Sequence, residues 1–235
     1  MAKVLITGTN RGIGAVTAIA VARAGHTVYA TMRDPARGRA LAEIAQRERL
    51  PISIVRMDVD IDESVDAATS TIRAEAGCID VLVNNAGIVR SGSIEGLALG
   101  DFKAAMETNY FGPLRTIRAW LPHLRAQRSG CIVNVTSVAG RIACSPLAPY
   151  AASKFALEAL SEALAQEMRP FNVRVAIVQP GIIDTAMARE VKDVAADAAY
   201  RRSVASATCS PRPSMRRRRR VQSPRRSSRS STAGR

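Results

Sequence analysis

The 235-residue chain is poor in the residues from which metal centres and disulfide frameworks are built. It has only two histidines, His26 and His123, and four scattered cysteines that form no CxxC or CxxH spacing. This scarcity argues against a multi-histidine metal site, a zinc site and a disulfide scaffold. Because scattered cysteines suit a reducing compartment, we expect a cytoplasmic protein without a bound metal.

Long hydrophobic runs are also missing. No uncharged apolar run reaches the ~18 residues that a membrane helix needs, so we expect no membrane span. Residues 1–7 enter a strand-like run directly, which leaves no room for a signal peptide there. Apolar residues nevertheless make up 47% of the chain and charged residues 23%, which is typical of a globular protein with a large core.

Acidic residues are absent from the C-terminal segment. Residues 1–200 contain 22 Lys and Arg against 20 Asp and Glu, whereas residues 201–235 contain 12 Arg and no acid. The latter segment is rich in Arg, Ser and Pro and has few aliphatic side chains. It therefore cannot bury enough apolar surface to offset the conformational entropy that is lost on folding. We therefore predict one folded domain at 1–199 and a disordered tail at 200–235.

The composition of this tail has two possible explanations. Its arginines would bind nucleic acid non-specifically, through phosphates. Alternatively, the tail is a frameshift product, since Arg, Ser and Pro dominate an out-of-frame reading of a GC-rich gene. The abrupt change of composition near residue 200 favours the frameshift.

Short β-branched runs alternate with longer amphipathic stretches along the rest of the chain. Several runs are almost continuously apolar, which is typical of strands buried on both faces. Repeated strand–helix alternation predicts an α/β fold with a doubly wound, Rossmann-like parallel sheet in a single domain. We predict strands at 3–7, 27–32, 52–56, 81–84, 131–136 and 173–178, and helices at 12–24, 35–48, 62–76, 101–127 and 148–169.

A glycine-rich turn joins the first predicted strand to the first predicted helix. Its glycines are Gly8, Gly12 and Gly14, in the spacing Gly-x3-Gly-x-Gly. Glycines let the chain turn tightly and approach a pyrophosphate, which the helix N-terminus then faces. Taken alone, the turn is also compatible with an ordinary strand–helix connection.

The spacing of this turn resembles the short-chain dehydrogenase/reductase family, and further motifs follow at matching separations through about residue 190. They are Asn84-Asn85-Ala86-Gly87, Asn109 within Asn-Tyr-Phe-Gly, Ser137 after the fifth strand, Tyr150-x3-Lys154, and Pro180-Gly181-x3-Thr185. Each motif alone has an ordinary structural explanation, such as a helix-surface pair or a strand-end hydroxyl. Their joint occurrence favours an enzyme of this family.

The resemblance implies four catalytic residues: Asn109, Ser137, Tyr150 and Lys154. Tyr150 and Lys154 are four residues apart on a predicted helix, so they share a face. A free phenol has a pKa of about 10, and a nearby ammonium lowers it. Tyr150 would exchange a proton with the alcohol or carbonyl oxygen, and Ser137 would hydrogen-bond that oxygen. Lys154 would also hold the nicotinamide ribose, and Asn109 would position a water.

The end of the second strand bears on the choice of cofactor. Folds that bind NAD place an acid there, whereas folds that bind NADP accommodate the 2′-phosphate with Arg. Met32 takes the acidic position of the family, Arg33 follows it, and Arg11 is a second basic residue. These residues resemble NADP-preferring members, so we expect NADP. Asp34 leaves NAD open, because a shift of one residue would put its carboxylate near the ribose.

The resemblance also implies a larger set of cofactor contacts, among them Asp58 beside the adenine. The set comprises Gly8, Arg11, Gly12, Ile13, Gly14, Arg33, Asp58, Val59, Asn85, Ala86, Gly87, Tyr150, Lys154, Pro180, Gly181, Ile183 and Thr185.

We therefore expect an NADP-dependent oxidoreductase that transfers hydride between the nicotinamide and a small-molecule secondary alcohol or ketone. The alternative is a catalytically impaired dinucleotide-binding protein, because no strand pattern follows Thr185 and the family's C-terminal strand is expected to be missing. The long helices at 101–127 and 148–169 suggest a homo-oligomer. We expect no membrane partner, and nucleic acid only as a non-specific partner of the tail.

Overall fold

A computed structural model describes residues 1–192, except for the side chains of residues 190 and 192. Within this range the chain forms a six-stranded, entirely parallel sheet in the order β3-β2-β1-β4-β5-β6. The strands are β1 Lys3–Thr7, β2 Thr27–Met32, β3 Ile52–Arg56, β4 Val81–Asn84, β5 Gly130–Val135 and β6 Val173–Val178. The predicted doubly wound fold is confirmed.

Helices connect the strands on both faces of the sheet. They are α1 Gly12–Arg23, α2 Arg39–Glu48, α3 Asp62–Ala76, α4 Leu99–Met106, α5 Gly112–Gln127, α6 Ala148–Met168 and α7 Ala186–Lys192. Short 3-10 turns occupy Pro35–Gly38, Val138–Gly140 and Arg169–Phe171. Within residues 1–192, no helix combines the length and the apolar character that a membrane span requires.

Some boundaries differ from those predicted. The segment 101–127 is not one helix, because a π-helical turn at Glu107–Phe111 separates α4 from α5. The segment 35–48 begins with a 3-10 turn, and β5 starts and ends one residue earlier than predicted. Helix α7 was not predicted. The predictions of a domain boundary at 199, a missing C-terminal strand and a disordered tail at 200–235 lie outside the described residues.

The alternation of side chains along β1 divides the core into two layers. Leu5 points to a cluster that contains Trp120 of α5 and Ile72 of α3, whereas Val4 and Ile6 belong to a cluster on the other face. Successive residues of a strand point to opposite faces, so one apolar run supplies both layers. This explains why the strands read as nearly continuous hydrophobic segments.

A ladder of buried polar side chains joins the central strands to the helices on one face. Asn84 donates to Asn134 at 2.8 Å, Asn134 donates to Ser161 at 2.8 Å, and Thr116 donates to Asn84 at 2.6 Å. All four residues are buried. The ladder locks β4 and β5 to α5 and α6 directly beneath the carboxyl ends of the strands.

We predict that Asn134→Ala destabilises the protein. The change leaves the Asn84 amide without its acceptor and Ser161 without its donor, and each orphaned buried group costs about 1–3 kcal/mol. The free energy of unfolding in urea measures the loss. Gln166→Ala on α6 is the control, because its side chain is exposed and its change is expected to stay within about 0.5 kcal/mol. Equal stability of both variants would contradict a structural role for the ladder.

Candidate active site

A cleft of about 780 Å³ opens at the carboxyl ends of the strands. It lies where the strand order reverses, with β2 on one side of β1 and β4 on the other. Ligands of open parallel sheets bind in such a crevice. A smaller cavity of about 390 Å³ lies beside it and shares Arg11, Arg33 and Asp60 with the cleft.

The glycine-rich turn lies at the floor of the cleft and requires its glycines. Gly8 has a φ of +70°, and a Cβ at this position would lie 2.7 Å from the Cα of Ala86. A Cβ at Gly14 would lie 2.4 Å from the side-chain amide nitrogen of Asn85. These distances are too short for any side chain, so the turn packs directly against the end of β4.

The N-terminus of α1 lies at this cleft, because Gly12 and Ile13 are among the lining residues. Arg11 is the N-cap residue, and its side chain makes no capping hydrogen bond to the helix. A helix N-terminus of this kind favours a phosphate. The cradle that a Cβ would fill and the basic residues at its mouth therefore fit a dinucleotide.

The Asn85 side chain clamps the turn to β4. Its amide nitrogen donates to the carbonyl oxygens of Thr7 at 2.9 Å and Gly8 at 3.1 Å. The Thr7 hydroxyl accepts from the backbone N–H groups of Asn85 and Ala86, both at 3.0 Å. The Asn-Asn-Ala-Gly motif thus builds the floor of the cleft.

Asn109 lies behind the cleft in the π-helical turn and is fully buried. Its amide oxygen accepts from the N–H of Ile88 at 2.8 Å, and its amide nitrogen lies 2.9 Å from both the Ile88 carbonyl and the Ser153 hydroxyl. Ser153 in turn donates to the backbone carbonyl of Tyr150 at 2.7 Å. Asn109 therefore links the chain after β4 to the helix that carries Tyr150.

Ser137, Tyr150 and Lys154 line the cleft together. The Ser137 hydroxyl oxygen caps the 3-10 turn after β5 by accepting from Ala139 N–H at 3.1 Å, and its side chain also hydrogen-bonds Tyr150. Lys154 is 4% exposed and donates to the carbonyl oxygen of Val135 at 2.9 Å. Its ammonium lies 5.7 Å from the centre of the Tyr150 ring.

Burial is the main influence on the pKa values of Lys154 and Tyr150. It lowers the pKa of Lys154 to about 8, because the charged ammonium is desolvated. Burial also raises the pKa of Tyr150, and its hydrogen bond with Ser137 opposes this only partly. The expected lowering of the Tyr150 pKa by Lys154 is therefore not found in the structure. The phenol is held in its protonated form at neutral pH.

The basic and acidic residues after β2 point in different directions. Arg33 is exposed and lines the cleft, as does Arg11. The Asp34 carboxylate instead caps the next turn by accepting from Ala36 N–H at 3.0 Å, and it lies 3.6 Å from Arg37. Asp34 is therefore engaged away from the cleft. Met32 is buried against Gly38, although part of it reaches the cleft.

The other residues expected at the cofactor line the cleft, except Gly14, which packs behind Asn85. Thr185 has an additional role, because its hydroxyl accepts from Ala188 N–H at 3.2 Å and caps α7.

Asp60 is a cleft residue that the sequence did not single out. Thr108 donates to its carboxylate at 2.9 Å, its other oxygen has no hydrogen bond, and burial raises its pKa. Its place in the repeated acids of Asp58-Val59-Asp60 is the only signal that the sequence carried. The cleft lining also includes apolar side chains that the sequence did not single out, among them Val138, Ile142, Leu147, Met187 and Val191.

Comparisons with known proteins agree with this geometry. Residues 2–195 match the family model for short chain dehydrogenases. A 3-ketodihydrosphingosine reductase from Bacteroides thetaiotaomicron is 39% identical over 185 residues, which cover 77% of this chain and 64% of that protein. Retinol dehydrogenase 8 from Bos taurus is 40% identical over 187 residues, which cover 77% of this chain and 59% of that protein. The chain thus spans about three fifths of the length of these relatives.

A solved structure shows the same fold. The gluconate 5-dehydrogenase from Burkholderia cenocepacia, in complex with NADP and tartrate, is 32% identical and superposes with a TM-score of 0.77. The match covers 85% of this chain and 77% of that one. By sequence motifs, fold and these matches, the chain belongs to the short-chain dehydrogenase/reductase family of oxidoreductases.

Proposed function

We propose that the protein is an NADP-dependent oxidoreductase that interconverts a secondary alcohol and a ketone, with Tyr150 as the acid/base. The observation that carries this proposal is the convergence of Ser137, Tyr150 and Lys154 in one cleft with the glycine-rich turn. The keto substrate in the name of the Bacteroides reductase and the NADP in the gluconate 5-dehydrogenase structure support it.

The residues divide the work by position. When bound, the dinucleotide supplies or accepts the hydride. Tyr150 donates its proton to the carbonyl oxygen during reduction and takes a proton back from the alcohol during oxidation. Ser137 hydrogen-bonds the same oxygen and holds it within reach of the phenol. The raised pKa keeps the phenol of Tyr150 protonated at neutral pH, so the side chain carries the proton that reduction of a carbonyl requires.

Both the charge of the Lys154 ammonium and its fixed position beside Tyr150 contribute to the proposed reaction. Its ammonium is fixed by the Val135 carbonyl and lies on the same helix face as Tyr150. It would bind the ribose hydroxyls of the nicotinamide nucleoside and lie on the path that returns a proton to Tyr150. Asn109 holds the backbone beside this group and would position a water in the proton path.

The aliphatic part of the cleft lining supports an apolar substrate. Ile142, Leu147 and Val191 contribute aliphatic carbon to this lining. Each buried methylene contributes about 0.8 kcal/mol, or roughly a fourfold gain in kcat/KM. The test is NADPH oxidation with 2-butanone, 2-octanone and dihydroxyacetone. Preference for dihydroxyacetone over 2-octanone would contradict an apolar substrate.

A second candidate is a dinucleotide-binding protein with little turnover. The observation that favours it is the raised pKa of Tyr150, because a phenol of high pKa is a weak acid/base catalyst at neutral pH. Fluorescence titration with NADPH and NADH separates the two candidates, because binding without turnover on a broad carbonyl panel would support the second. A cytoplasmic location and a homo-oligomer remain predictions.

We predict that Tyr150→Phe removes turnover and leaves cofactor binding nearly unchanged, because only the hydroxyl is lost. A positioned acid/base contributes about 10²–10⁴-fold, so kcat should fall by at least about a hundredfold. Tyr110→Phe is the matched control, since Tyr110 packs against Phe111 in the π-helical turn. Retention of more than about a tenth of the rate by the Tyr150 variant would reject Tyr150 as proton donor.

We predict that Lys154→Met impairs both NADPH affinity and kcat, because two roles converge on one ammonium. Stopped-flow measurement of NADPH binding and of single-turnover reduction separates the two effects. An unchanged dissociation constant together with an unchanged rate would show that Lys154 serves only to fill its buried position.

We predict that Arg33→Ala weakens NADPH binding by about ten- to a hundredfold and leaves NADH binding unchanged. A charge-assisted hydrogen bond to the 2′-phosphate contributes about 1.5–3 kcal/mol. Arg37→Ala is the control, because Arg37 is also exposed but pairs with Asp34 outside the cleft. Met32→Asp is a poor test, since Met32 is buried and the new carboxylate would be desolvated. Tighter binding of NADH than of NADPH by the unmodified protein would overturn the NADP assignment.

A further inference from the structure

Glu158 is a buried carboxylate on α6, one turn beyond Lys154, and it is 4% exposed. Its Oε1 accepts from the Thr136 hydroxyl at 2.6 Å and from the Gln179 amide at 2.8 Å. Its Oε2 has no hydrogen bond but lies 3.3 Å from Nε of Arg141. A buried charge persists only where partners of this kind compensate its desolvation.

The partners of Glu158 belong to the segments that form the site. Thr136 directly precedes Ser137, and Gln179 directly precedes Pro180 and Gly181. Two further hydrogen bonds tie these segments together: Thr136 N–H donates to the Val178 carbonyl at 2.8 Å, and Val138 N–H donates to the Pro180 carbonyl at 3.1 Å. One carboxylate therefore fastens the ends of β5 and β6 to the helix that carries Tyr150 and Lys154.

The packing around Glu158 is close. A Cβ added at Gly140 would lie 3.1 Å from Cγ of Glu158 and 3.1 Å from the carbonyl oxygen of Lys154. The turn after Ser137 thus rests on the stem of the carboxylate as well as on the helix backbone. A change in the Glu158 side chain is transmitted to this turn without an intervening residue.

We propose that Glu158 is a positioning residue for the oxidoreductase reaction, an inference that rests on the proposed function. Its contact with Thr136 sets the position of Ser137 against the substrate oxygen. Its contact with Gln179 sets the stretch of Pro180 and Gly181 that lines the cofactor side of the cleft. Glu158 itself is not among the described residues that line the cleft.

The chemistry of the three partners explains why the group is a carboxylate. Thr136, Gln179 and Arg141 all present donors to it, and an ionised carboxylate is the side chain that only accepts. The Thr136 hydroxyl lies 2.6 Å from Glu158 and 3.1 Å from the Val178 carbonyl, and its single proton goes to the nearer, charged oxygen. Glutamine retains the acceptor for Thr136 and Gln179 but turns an amide donor toward Arg141.

The test uses variants that remove one contact at a time. Thr136→Val should lower kcat by about three- to tenfold, the effect of one lost hydrogen bond, with the NADPH dissociation constant within about twofold. Gln179→Leu should raise the NADPH dissociation constant by a similar factor and leave kcat at saturating cofactor within about twofold. Glu158→Leu should show both effects, and Glu158→Gln should restore most of kcat.

Glu162→Gln is the matched control on the next turn of the helix. Its side chain is 56% exposed and contacts Arg141 at 3.3 Å, so it shares one partner of Glu158 and neither Thr136 nor Gln179. We expect wild-type kcat and NADPH affinity for this variant. Melting temperatures of all variants accompany the kinetics, and Thr136→Val with Gln179→Leu decide the matter if Glu158→Leu does not fold.

The separation of the two effects is what a merely structural role would not produce. The proposal is overturned if Thr136→Val and Gln179→Leu change kcat and NADPH affinity by the same factors, or change neither. A wild-type protein that binds NADPH without turnover overturns the proposed function only, and the rise in dissociation constant for Gln179→Leu and Glu158→Leu then decides on Glu158. Binding of neither dinucleotide overturns both proposals.

Discussion

The strands β1 and β4 end within hydrogen-bonding distance of each other, and the whole cleft depends on this approach. The Thr7 hydroxyl bonds two backbone N–H groups after β4, while the Asn85 amide bonds two carbonyls after β1. The two segments come so close that Gly8 has no room for a Cβ beside Ala86. The close approach aims the N-terminus of α1 into the crevice, where a pyrophosphate would be bound.

Buried polar groups behind this floor hold the reacting side chains at one place. Asn109 bonds the backbone of Ile88 on one side and Ser153 on the other, and Lys154 bonds the Val135 carbonyl. In a desolvated site these bonds are stronger than in water, and an unpaired group would be costly. The same desolvation moves the pKa of Lys154 down to about 8 and the pKa of Tyr150 up. Burial of the site thus strengthens the hydrogen bonds that position these side chains and also shifts the pKa values of Lys154 and Tyr150.

The role of a charged side chain in this protein depends on its surroundings and not on its place in the sequence alone. Asp34 and Arg33 are adjacent in sequence, yet Asp34 caps a 3-10 turn while Arg33 lines the cleft. Glu158 and Glu162 are likewise one turn apart on α6, but the first is buried among three donors and the second is largely exposed. A one-turn difference on a helix decides which carboxylate can affect the site.

The order of the elements, the parallel sheet and the motifs that gather in the cleft could all be predicted from the amino-acid sequence. This was possible because strand and helix periodicity and the Gly-rich turn are local properties, and β1, β2, β3, β4 and β6 begin and end at the residues predicted. Four features could not be predicted in this way: the π-helical turn at Asn109, the cap made by Asp34, the carboxylate of Asp60 in the cleft and the contacts of Glu158. Each depends on groups distant in sequence or on the detailed path of the backbone. The upward shift of the Tyr150 pKa likewise could not be predicted from the sequence, because desolvation depends on how the folded chain surrounds the phenol.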